Sequence, residues 1–134
     1  RWYNWTMDLI TARTKAISEM KKHGLIRKGW TFEFDRAVRR LGQCNSAMKR
    51  ITISKHFTGA ANEDEFEQAL LHEIAQALLP ASVGHSWDWR LKAREIGYRG
   101  SRLANNPYRK VYEAQKRAEQ QSQSQRKVAG NEKS

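Results

Sequence analysis

The residues of this chain best suited to chemistry stand in its middle: His72, Glu73, Gln76 and His85. Positions 72 and 76 are four apart in the run Leu70-Leu71-His72-Glu73-Ile74-Ala75-Gln76-Ala77-Leu78-Leu79. On a helix their side chains therefore lie one above the other on a single face. Two imidazoles at that spacing can grip one metal ion, and a glutamate directly after the first can take a proton from the ion's bound water. A catalytic zinc needs a third protein ligand and an open fourth position. His85, nine residues beyond position 76 and preceded by Gly84, is well placed to return as that ligand. Position 76 holds glutamine, whose neutral amide oxygen binds zinc less well than an imidazole nitrogen. A carboxylate such as Glu73 inside Leu-Leu-x-x-Ile-Ala needs a partner or a role.

The elements that must position these side chains follow from pattern and punctuation. Asn62 is an N-cap for the motif helix, with Glu65 completing a capping box and Pro80 closing the far end. Ser86 can cap a further helix over residues 87–96, with Trp89, Ala93 and Ile96 on one face and Gly97 at its end. Residues 6–23 read as an amphipathic helix carrying Leu9, Ala12, Ala16 and Met20, with Gly24 at C′. Trp30, Phe32 and Phe34 alternate as in a half-buried strand, and Ile51 and Ile53 do the same. Residues 37–44 are ambiguous between a short helix and a strand, and Asn45-Ser46 can turn the chain. The expected core is a small antiparallel sheet. Trp89 and the strand aromatics read as packing residues, Cys44 as a buried small side chain, His23 as a helix-end histidine and His56 as a loop histidine. Residues 107–121 suggest another helix, and residues 120–134, polar and Gln-rich, read as disordered.

Composition bounds the rest. With 134 residues the chain suits one domain, and it has no run of eighteen apolar residues and no signal-peptide pattern, so a soluble, non-exported protein is expected. A single cysteine excludes a Cys₄ zinc ribbon and suits a reducing compartment. The net charge of +11 is uneven: residues 1–62 carry 13 Lys/Arg against 4 Asp/Glu, residues 63–100 carry 4 against 7, and residues 101–134 carry 8 against 3, giving +9, −3 and +5. Basic flanks around the candidate chemistry favour a polyanionic partner, with DNA or RNA first.

The run L-L-H-E-I-A-x-A-L, followed by Gly84-His85, Trp89, Ala93-Arg94 and Gly97, resembles the SprT-like (SprT/Spartan) metalloprotease domain. Trp30-Thr-Phe-Glu-Phe34, Leu41-Gly42-Gln43-Cys44 and Lys49-Arg50-Ile51-Thr52-Ile53-Ser54 match its strand region in order and spacing, so the resemblance covers about residues 6–100. It implies an α+β, zincin-like fold, a small antiparallel sheet packed against the motif helix, and zinc-dependent hydrolysis of peptide bonds. It assigns His72 and His85 as metal ligands, position 76 as a ligand histidine, here replaced by Gln76, and Glu73 as the general base. Members such as Spartan cleave proteins crosslinked to DNA and are activated by DNA binding. The chain divides accordingly into a core, 1–100, and a basic, Gln-rich helix or tail, 101–134.

The reading is a zinc metallopeptidase acting on a protein or peptide substrate, associated with DNA, cytoplasmic, away from membranes, and weakened or inactivated by Gln76. Two rivals stand beside it: a catalytically silent DNA- or protein-binding module on the same fold, and a basic DNA-binding protein whose histidines are coincidental.

Overall fold

The computed structural model describes residues 7–100 and 117–125. Helix α1 spans Leu9–Lys22 and opens where the Asp8 carboxylate accepts the Thr11 N–H at 2.8 Å. It buries Ala12, Ala16 and Met20, while Leu9, Ile10 and Ile17 stay exposed. Its end is a Schellman turn. The Gly24 N–H reaches the Lys21 carbonyl at 3.0 Å and the Leu25 N–H reaches that of Met20 at 2.9 Å, so Leu25 and Met20 meet in the core.

Three strands follow: β1 (Thr31–Asp35), β2 (Gly42–Asn45) and β3 (Arg50–Ser54). The sheet is mixed, with order β1-β3-β2; β2 runs antiparallel to β3, but β1 runs parallel to it. The expectation of a wholly antiparallel sheet is thus corrected. Alternation fixes which face a strand buries, not which neighbour it takes. Here residues 36–41 are long enough to step across the end of β3. The Ser54 hydroxyl holds them there by donating to the Ala37 carbonyl at 2.6 Å, and the Ser54 N–H bonds Leu41 O at 2.8 Å. The ambiguous residues 37–44 therefore resolve into a crossing segment and a strand. The β2–β3 turn is closed by Asn45, whose Oδ1 accepts the Met48 N–H at 3.1 Å.

A helix the sequence reading missed, α2 (Lys55–Ala60), starts directly from β3. Ser54 caps it by accepting the His56 and Phe57 N–H groups, so His56 is helical rather than in a loop. The capping box of Asn62 and Glu65 then launches α3 (Glu63–Ala77). Phe66, Leu70 and Ile74 of α3 are fully buried against Ile51, Ile53 and Phe57. Each such side chain contributes roughly 1.5–3 kcal/mol by leaving water, which fixes the rotation of α3 about its axis. After Pro80 a short 3₁₀ turn, Ala81–Val83, leads to α4 (Trp87–Glu95), which buries Trp89 and Ala93. Ser86 holds the N-cap position of α4 without a side-chain cap bond. The fold is α+β, a three-stranded sheet with α3 packed on it.

Residues 117–125 are helical, so residues 120–125 depart from the disorder expected there: a Gln-rich run has adequate helix propensity despite its polarity. The remainder of the proposed 107–121 helix, and residues 126–134, lie outside the described residues. No described helix is long and apolar enough to cross a membrane.

Candidate active site

The buried stripe of α3 faces the sheet, which turns His72, Glu73 and Gln76 toward β2 on one side and α4 on the other. Glu73 is 8% exposed. Its neighbour across the gap is β2, where a Cβ added to Gly42 would stand 3.1 Å from Glu73 Cγ. Only the missing side chain at Gly42 lets the strand pass this close. The Glu73 carboxylate is not isolated: its Oε2 lies 3.1 Å from His72 Nδ1. With Nδ1–H donating to the carboxylate, His72 carries its lone pair on Nε2.

His85 reaches this place through Gly84, whose φ of 58° and ψ of −139° suit a residue without Cβ. The His72 and His85 rings then lie 4.9 Å apart, centre to centre, at 45°. Gln76 holds the return itself: its Nε2 donates to the Gly84 carbonyl at 3.0 Å. The structure therefore brings all four sequence-selected residues into one neighbourhood. It also gives Gln76 a bond that positions the His85 loop and leaves its Oε1 for another partner.

Trp89 is the base of the site. It stacks edge-on to His72 at 4.7 Å and to His85 at 5.0 Å, and its indole N–H donates to the His72 carbonyl at 3.3 Å. It is a packing residue, as its spacing suggested, and an orienting one. Tyr98 was not singled out by the sequence. Its ring meets His72 at 5.5 Å and Trp89 at 5.7 Å. The signal was there: Gly97 at C′ makes residue 98 the C″ position, which folds back on its own helix. The Tyr98 N–H bonds the Ala93 carbonyl at 2.8 Å. Buried Gln68 clamps the same turn to α3, donating to Gly97 O at 3.2 Å and accepting the Arg99 N–H at 2.7 Å. Burial, then the Glu73 charge, raise the pKa of Tyr98, so its phenol stays a proton donor at neutral pH. Cys44 on β2 behaves likewise: burial, with a smaller contribution from Glu73, pushes its thiol up to about 11. It is an inert small side chain beside the site.

The SprT-like family model matches residues 10–122. The chain belongs to the SprT-like family. No curated protein sequence and no solved structure matches it significantly. Membership in the SprT-like family makes this a metalloprotease-like domain, and the family match extends beyond α4 into residues 101–122.

The donor set can be tested against the metal that the SprT-like family implies. Among the described residues no three His, Cys, Asp or Glu side chains form a metal-ligand group. The other two of the four histidines, His23 and His56, stand at the end of α1 and in α2. What remains is two adjacent imidazoles and the free amide oxygen of Gln76. In donor chemistry that set fits a zinc-type ion, with one neutral oxygen in place of a third nitrogen.

Proposed function

We propose that this chain is a zinc-dependent metallopeptidase domain that hydrolyses peptide bonds, is itself associated with DNA, and is weakened by Gln76. The observation that carries the reading is the pairing of the His72 and His85 rings next to the His72–Glu73 contact. A bound zinc ion supplies a water of lowered pKa and polarises a carbonyl. The chain's own residues do the rest. His72, through Nε2 when Nδ1 donates to Glu73, and His85 would hold the ion, and Trp89 packs edge-on against both rings. Glu73, held through Oε2 by His72, keeps Oε1 for the proton of the attacking water. Tyr98, protonated and beside His72, is a hydrogen-bond donor at the same wall. Strand β2 is an edge of the sheet running past Glu73. Its unpaired backbone groups suit an extended peptide added as a further strand.

Gln76 sets the level of activity. One strong nitrogen donor is missing, and the amide is already engaged with Gly84. That engagement favours the second reading, a silent DNA- or protein-binding module on the same fold. The deciding experiment measures zinc content and casein or self-cleavage, with and without single-stranded DNA, for three proteins: the chain itself, Gln76→His, and Gln76→His with Glu73→Gln. The expected order is weak zinc retention and little cleavage, then both restored, then zinc without cleavage. A Gln76→His protein that gains neither metal nor activity refutes the peptidase reading and leaves the binding module.

A further inference from the structure

We propose that the outer face of α4 is a substrate-recognition surface for an extended peptide that carries acidic side chains next to a bulky apolar one. The inference rests on the peptidase reading above and names the substrate class. A cavity of about 780 Å³ opens beside the histidine pair, with His72 and His85 on one wall and α4 on another. Trp87 and Leu91, four apart on α4, both line it, yet they are 66% and 50% exposed. Two large apolar side chains left in water on one helix face beside a cavity mark a contact surface. Arg90 and Arg94, again four apart, line the same cavity and are exposed. Among the described residues neither has a carboxylate partner, whereas Arg99 across the cavity is bound to Asp64 and Lys92 to Glu95. Of the three arginines that line the cavity, Arg90 and Arg94 are therefore the two without a carboxylate partner among the described residues.

Charge complementarity selects the occupant. The chain's own residues 101–134 carry a net charge of +5 and are a poor match for two arginines. An anionic ligand spanning the cavity reaches from the arginine pair to His72 and His85, the place where a peptide backbone would be cut. Leu91 beside Trp87 suits a bulky apolar side chain, although the exposed indole of Trp87 is also a surface on which a base can stack. The position of the cavity beside the histidine pair favours a peptide over a nucleic acid.

The test is fluorescence anisotropy with two labelled peptides of equal length, one with glutamates flanking a leucine and one with lysines in their place. The expected result on the unmodified chain is glutamate-peptide binding tighter by about tenfold at low salt, or about 1.4 kcal/mol. Two partly exposed ion pairs supply a difference of that order, and it should shrink in high salt. Arg90→Ala with Arg94→Ala should erase the preference, and Arg90→Glu with Arg94→Glu should invert it, both with an unchanged melting curve. Equal binding of the two peptides overturns the proposal, as does a preference that survives both double variants. A single-stranded oligonucleotide that binds more tightly than either peptide, and loses that binding in the alanine pair, assigns the face to nucleic acid and overturns it too. The peptidase reading fails separately. A zinc-loaded Gln76→His chain that binds the glutamate peptide selectively but cuts neither peptide keeps the recognition face and discards the peptidase.

Discussion

Replacing Gly42 by alanine should destabilise the fold and disturb Glu73 together. A Cβ at position 42 would stand 2.7 Å from Ile53 Cδ1, 2.9 Å from the Thr52 carbonyl oxygen and 3.1 Å from Glu73 Cγ. The first two approaches are closer than a real Cβ tolerates, and the third is tight enough that Glu73 must give by a few tenths of an ångström. Ile53 is fully buried and has nowhere to turn. The Thr52 oxygen belongs to the backbone of β3, which pairs with β2 on one side and β1 on the other. The strain must therefore move β2 outward or push α3 at Glu73. Overpacking of this kind costs about 1–3 kcal/mol. With a urea m-value of roughly 2 kcal/mol/M for a domain of this size, the midpoint should fall by about 1 M. Gly59→Ala is the internal control: Gly59 lies exposed in α2 with no atom within 4 Å of an added Cβ. That change should stabilise the helix by about 0.5–1 kcal/mol. Urea titration of the two variants should therefore give midpoint shifts of opposite sign. A Gly42→Ala protein as stable as the parent would show that β2 moves freely, and the argument that a bare backbone lets the strand approach Glu73 would be wrong.

Three further outcomes are expected. Cys44, with its thiol pushed up to about 11 from 9.0, should hold about a hundredfold less thiolate than an unfolded cysteine, so iodoacetamide labelling at neutral pH should accelerate sharply on denaturation. Burial lowers the pKa of His23 below 6.5, against a smaller opposing pull from Glu19. The unfolded state then binds the proton more readily, so stability is fully present above pH 6.5 and is lost as pH falls beneath it until the folded pKa is passed; melts of His23→Gln should lack this decline. DNA binding driven by the +11 charge should be salt-sensitive and indifferent to sequence, with a log–log slope of roughly −3 or steeper, and a slope near zero would count against a DNA partner.

Much of the geometry of the candidate site was legible in the sequence because it is local. The spacing of His72 and Gln76 fixes a shared helix face, the Asn62–Glu65 box fixes where that helix begins, and Pro80 and Gly84 mark the turn that returns His85. Period-two alternation likewise identified Phe32, Ile51 and Ile53 as core. Strand partners were not legible, since the pairing of β1 with β3 depends on how residues 36–41 cross the sheet and on one hydroxyl, Ser54, that ties them down. Helix α2 was hidden because its six residues, Lys55–Ala60, are too few to show a period. Tertiary structure alone decided that Gly42 opens a path for β2 past Glu73, that Gln76 bonds the Gly84 carbonyl, and that Tyr98 joins Trp89 behind His72. Each of these is a contact between elements, and a sequence pattern records which face an element buries but not the atom it meets there.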